Sequence, residues 1–101
     1  MSNIEHPSHY KQGKRKECIE EMQDEFGVRF VIDFCIGNCY KYLYRRGNKD
    51  GNSYEQDTAK ARWYYDYALN LAHENRITRL CGIKLKLIEE MLRDNKEYVD
   101  D

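Results

Sequence analysis

Proline occurs once, at Pro7, and few stretches alternate apolar with polar residues as a half-buried strand does. Those two shortages leave an all-α chain as the expectation. No apolar run approaches the ~20 residues needed to cross a bilayer, so no membrane partner is expected. Neither sign of charge is in excess: 17 Lys and Arg stand against 18 Asp and Glu, for a net charge of −1. A protein that coats nucleic acid carries a strong basic excess, so extended nucleic-acid binding is not expected either. A small phosphate-bearing ligand is still allowed, because its pocket needs only a few local cations.

Several chemical signatures are missing too. There is no GxxxxGK[ST] phosphate loop, and the GNKDG turn at residues 47–51 has neither its length nor its strand context. No GxSxG or Cys–His pairing marks a covalent nucleophile. His6 and His9 come without a Cys pair or an HExxH helix, so no metal site is assigned. The N-terminus, MSNIEHPSHY, is polar throughout and has no apolar leader region. Cys18, Cys35, Cys39 and Cys81 are therefore expected as reduced structural thiols in a cytoplasmic protein.

What is present fits one globular domain: 101 residues, 41% hydrophobic and 35% charged. Residues 1–13 lack helical periodicity and read as an extended N-terminal arm carrying HPSHY. Residues 14–98 read as a compact four-helix domain, and residues 99–101 as an acidic tail. The first helix spans about residues 14–26, with Cys18, Ile19, Met22 and Phe26 as its apolar stripe and Gly27 ending it. The second spans about residues 29–46. Val31, Phe34, Cys35 and Tyr42 share one sector of its wheel, and Ile32, Ile36, Cys39 and Leu43 the next, which predicts a central, largely buried helix.

Ser53 followed by Gln56 is a capping-box pattern that opens the third helix, whose inner stripe is Ala61, Tyr64, Ala68, Leu71 and Ala72. The fourth covers about residues 77–97, with Ile77, Leu80, Cys81, Leu87, Ile88 and Met91 facing in. Its opposite face carries Arg79, Lys86, Glu89 and Glu90.

The second helix holds the anomaly. Asn38 and Arg45 fall inside its apolar sector, and Lys41 lies at the edge. Positions 38, 41, 42 and 45 follow i, i+3, i+4, i+7, so an amide, an ammonium, a phenol and a guanidinium stand in a row. Burying such groups unpaired costs several kcal/mol. One reading is a structural network, with Asn38 bonded to backbone and Arg45 paired to an acid. The other is a groove for a phosphorylated molecule, since Arg grips phosphate through two N–H donors and Lys adds a point charge.

Asp57 lies on the inner face of the third helix, close to its positive dipole end. It is placed to pair with Arg45 or Lys41 across the hairpin. Lys60 reads as a solvated flank residue. The Glu17, Glu20, Glu21 and Asp24 cluster reads first as a solvated acidic face, and second as a set able to hold Mg²⁺.

In order, HPSHY, ECIE, GN-x-x-KYLYR, a Lys in the turn and D-x-x-KARWYY resemble a family of small phage proteins described as nucleotide kinase-like. The family shares a domain with an early nucleotide kinase of a T-odd coliphage. The likeness covers about residues 5–68 and leaves the fourth helix outside. It implies an all-α phage domain that handles deoxynucleotides, transfers phosphate to deoxynucleoside monophosphates without a phosphate loop, and assembles as a homo-oligomer.

The motif positions carried over are His6, Pro7, His9, Tyr10 and Glu17, then Gly37, Asn38, Lys41, Tyr42 and Arg45. Lys49 follows in the turn, and Asp57, Lys60, Ala61, Trp63 and Tyr64 on the third helix. In that reading His6, His9, Lys41 and Arg45 do the catalysis. Tyr10, Glu17, Asn38, Tyr42, Lys49, Asp57, Lys60 and Tyr64 bind the nucleotide.

Three other functions are open to this sequence. A non-catalytic protein would sequester nucleotides, or the cyclic nucleotides of host defence, on the same cationic face. An all-α nucleoside triphosphate pyrophosphatase would use the helix-one carboxylates with Mg²⁺, the one cofactor any of these readings calls for. A structural adaptor would work through Trp63, Tyr64, Tyr65 and Tyr67.

Overall fold

The computed structural model describes residues 17–46, 48 and 53–93, and among these every regular element is a helix. In chain order they are α1 (Cys18–Phe26), α2 (Val28–Arg45), α3 (Tyr54–Glu74) and α4 (Thr78–Arg93). The all-α expectation holds. The HPSHY arm, Lys49 and the acidic tail lie outside the described residues. The chain divides into two compact units, residues 1–31 and 32–101.

In the first unit, Glu17 is the N-cap of α1, and its N–H donates to Glu20 Oε1 at 3.2 Å. Gly27 closes the helix as expected, donating its N–H to Gln23 O at 2.8 Å with φ of 98°. Few side-chain-bearing residues adopt that φ, which is why one residue suffices to stop α1 before α2 begins. The expected apolar stripe of α1 is not a buried one. Ile19 and Met22 are half-buried, but Cys18 and Phe26 are exposed, and the Phe26 ring packs instead on Phe30 at 4.8 Å between centroids. A helix of nine residues offers too few turns to bury a continuous stripe.

In the second unit, one core draws on three helices. Cys39 and Leu43 from α2, Ala61 from α3, and Ile88 and Leu92 from α4 are buried together, with Ile36, Tyr42, Tyr64, Tyr65 and Met91 packed around them. Small residues on α3, Ala61, Ala68 and Ala72, have no exposed surface and permit close approach of the neighbouring helices. The Ser53–Gln56 capping box forms: Gln56 N donates to Ser53 Oγ at 3.0 Å and Ser53 N to Gln56 Oε1 at 2.9 Å. It satisfies two backbone donors that the helix itself leaves free.

The inner stripe of α3 matches the expectation except that Tyr64 is half-buried, and Asp57, placed on that inner face, is fully buried. The stripe of α4 needs correction. Its buried residues are Cys81, Leu85, Ile88 and Leu92, whereas Leu80, Ile83 and Leu87 are 61%, 78% and 57% exposed. Apolar residues occupy so much of the α4 circumference that periodicity alone leaves the buried sector undecided.

Between α3 and α4, Asn75 caps the helix by donating its N–H and its Nδ2 to Leu71 O at 3.0 and 2.9 Å. Arg76 then adopts φ of 59°, the left-handed region. Ile77 N returns to Ala72 O at 2.9 Å. The hairpin thus reverses in a few residues, and α3 packs against α4.

Arg46 ties the far ends of the unit. It donates to Met91 O on α4 at 3.2 Å and to Thr58 Oγ1 on α3 at 3.4 Å, and its guanidinium lies 4.9 Å from the Tyr54 ring centre. Cys35 and Cys39 are fully buried free thiols. Burial pushes them up, to about 12 for Cys35, which the Cys39 thiol raises further, and to about 11 for Cys39. At neutral pH both are protonated and act as small apolar residues, as expected.

Candidate functional site

The polar row on α2 converges on one aromatic ring. Around Tyr42 stand Arg45, with its guanidinium carbon 4.7 Å from the ring centre, Lys41 Nζ at 5.0 Å and Lys60 Nζ at 5.5 Å. Lys41 and Arg45 reach the ring from neighbouring turns of its own helix, and Lys60 reaches it from α3. Tyr64 stacks on the same tyrosine, with centroids 6.0 Å apart and planes 14° apart. Cation–π attraction contributes roughly 0.5–1 kcal/mol per exposed pair. Working against it, like charges one turn apart on a helix repel by a few tenths of a kcal/mol.

Beneath this cluster lies Asp57, which has no exposed surface. Its Oδ1 is 3.8 Å from Arg45 Nε, an ion pair too long to be a hydrogen bond. Neither carboxylate oxygen has a hydrogen-bond partner, and neither does Arg45 Nε. Buried carboxylates ordinarily accept several hydrogen bonds. This one is held by Coulomb attraction to a guanidinium whose side chain is 27% exposed. Three cations against one carboxylate leave two positive charges in excess among these four side chains.

Of the residues singled out in the sequence, Lys41, Tyr42, Arg45, Asp57, Lys60 and Tyr64 come together here. Lys60 is more than a solvated flank, because its ammonium faces the shared ring. Asn38 donates its Nδ2 to Phe34 O, one turn back, at 2.9 Å, so the backbone-bonded role foreseen for it is the one it has. Glu17 belongs to the first unit, where it caps α1. His6, His9, Tyr10 and Lys49 lie outside the described residues.

Sequence reasoning missed the split between the adjacent arginines. Arg45 turns to the Tyr42 cluster, whereas Arg46, one residue and 100° further round, latches α3 and α4. The wheel singles out Arg45 for the polar row, but it gives no sign that Arg46 would reach α3 and α4. Among the described residues, no three of His, Cys, Asp and Glu gather as a metal-holding group.

A small all-α chain with this cationic row falls in a family with phage members. Residues 4–66 match the family described as a protein of unknown function, DUF3310, and the chain belongs to it. It is similar to the SaV protein of Lactococcus phage SK1, at 32% identity over 95 residues, covering 93% of this chain and 74% of that one. The SaV protein of Lactococcus phage p2 is 33% identical over 70 residues, covering 69% of this chain and 55% of that one. The Gene 1.7 protein of Enterobacteria phage T3 is 32% identical over 66 residues, which is 64% of this chain but only 40% of the T3 protein. No solved structure matches. None of these names states an activity.

Proposed function

We propose that this phage-family protein binds a nucleotide through its phosphates at the Tyr42 cluster. One observation carries the reading: Lys41, Arg45 and Lys60 all lie within 5.5 Å of a single ring, and the buried Asp57 pairs with Arg45 beside it. Like charges gathered this closely repel one another, and a phosphate chain relieves the crowding. Arg45 offers it the paired donors of a guanidinium, and the two lysines offer mobile point charges. Asp57 draws on Arg45 Nε from beneath and orients the outer edge of the guanidinium for the ligand.

The activity we assign to the bound nucleotide is phosphoryl transfer to a deoxynucleoside monophosphate in the host cytoplasm. That step needs positioning and charge neutralisation more than covalent chemistry, and the cluster supplies both. Support for catalysis beyond binding comes from the motif resemblance, with His6 or His9 as the acid–base group.

The test uses purified protein, a nucleoside triphosphate, and dTMP or dGMP, with and without EDTA. New deoxynucleoside diphosphate establishes the kinase. A raised melting temperature without turnover establishes a sequestering protein instead. Monophosphate and pyrophosphate from the triphosphate alone would assign the pyrophosphatase. If neither nucleotides nor tripolyphosphate raise the melting temperature, the phosphate site is wrong.

A further inference from the structure

Next to the cation cluster lies an aromatic surface that phosphate binding does not use. Trp63, the chain's only tryptophan, is 45% exposed. Its ring is nevertheless held from two sides. It stacks on Tyr67 with centroids 5.3 Å and planes 28° apart, and meets Tyr64 edge-on at 5.1 Å and 85°. Tyr64 in turn stacks on Tyr42, the ring the cations surround. Lys60 and Trp63 are i, i+3 neighbours on α3, so the ammonium and the indole adjoin on one side of the helix.

Resting on the phosphate reading above, we propose that Trp63, backed by Tyr67, is a stacking shelf for the base of the nucleotide whose phosphates sit on Lys41, Arg45 and Lys60. A flat aromatic group fixed in orientation and left partly open suits a planar base, because little ordering remains to be done on binding. The shelf and the cations are adjacent, as the two ends of a nucleotide require. Stacking tolerates any base, so this subsite adds affinity with weak base preference, and selection among bases falls to other groups. A mononucleotide fits better than a nucleic-acid strand, since the chain carries a net charge of −1 and the three cations gather around one ring.

Trp63 is its own reporter. Its fluorescence is titrated with dTMP, dTTP, inorganic tripolyphosphate and a short oligo-dT, with affinities measured in parallel by calorimetry. The nucleotides are expected to quench the indole, while tripolyphosphate binds without quenching. Trp63→Ala weakens nucleotide binding about tenfold or more and leaves tripolyphosphate binding unchanged, and Trp63→Phe retains most of the affinity.

If tripolyphosphate and dTTP bind equally and neither quenches, the shelf is wrong while the phosphate site stands. If neither ligand binds, both fail together. Oligo-dT binding far more tightly than dTTP, with a steep salt dependence, would overturn the shelf in favour of a strand path. Should Trp63→Ala not fold, the quenching contrast in the unaltered protein decides alone.

Discussion

Arg45 Nε and Asp57 Oδ1 face each other at 3.8 Å, and the two residues differ sharply in access to water: the arginine side chain is 27% exposed and the aspartate is sealed. The pair is therefore asymmetric. Losing Asp57 frees a cation that solvent can reach, whereas losing Arg45 strands a carboxylate with no partner. We expect Arg45→Gln to cost about 3 kcal/mol in urea unfolding and Asp57→Asn less than about 1 kcal/mol. The double variant should regain most of the loss. Equal costs for the two single variants would show that the carboxylate does not depend on this guanidinium.

Lys41 and Lys60 are exposed, so their removal should leave stability within about 0.5 kcal/mol. Lys41→Ala should be neutral or mildly stabilising, because it removes like-charge repulsion from Arg45 one turn away. Each variant should bind tripolyphosphate several-fold more weakly, with a shallower salt dependence, in calorimetry at two ionic strengths.

The buried thiols predict alkaline sensitivity. Burial raises Cys35 from 9.0 to about 12 and Cys39 from 9.0 to about 11. Between those limits the folded state holds more protons than the unfolded one, so stability is full below about pH 9 and falls as pH climbs. Tyr65, raised chiefly by burial and then by Glu89 and Asp66, adds a loss of the same sign above its ordinary value of 10.0. Melting temperatures should drop between pH 9 and 11, and less steeply in a Cys35→Ala/Cys39→Ala variant. At pH 8, iodoacetamide should label Cys18 rapidly in the native protein and all four cysteines only in urea, read by mass spectrometry.

At Arg76, φ of 59° puts a bulky side chain in the left-handed region. Arg76→Gly should remove that strain and stabilise the protein by about 0.5–1 kcal/mol, against the usual effect of adding glycine. A lowered melting temperature would mean that the side chain makes a compensating contact.

The corrected α4 stripe gives a matched pair. Leu85→Ala, at a buried position, should cost about 2–5 kcal/mol, whereas Leu80→Ala, at a position 61% exposed, should cost less than about 0.5 kcal/mol. Chemical denaturation of both would show whether the helix faces as described.

Where a sequence signal has one physical solution, it was legible. Ser53 and Gln56 could only be a cap and Gly27 only a stop, while Asp57 had either the helix dipole or a cation, Arg45 or Lys41, to answer it, and Arg45 is the cation it pairs with. The stripe of α4 was not legible, because Leu80 and Leu87 are as apolar as Leu85 and only the facing helices choose among them. Lys60 was undervalued for the same reason: its partner ring belongs to another helix, and spacing within α3 says nothing about what lies opposite. The division of labour between Arg45 and Arg46 depends on a hundred degrees of winding and on where Met91 ends up.

The crowded cations also imply something about heredity. If stability and binding pull these positions in opposite directions, a selection for thermal tolerance with no nucleotide present should erode the cluster first. Substitutions at Lys41 and Lys60 should accumulate before any on the buried faces of α3 or α4. The positions that drift under heat alone would then chart the binding surface without a ligand ever being named.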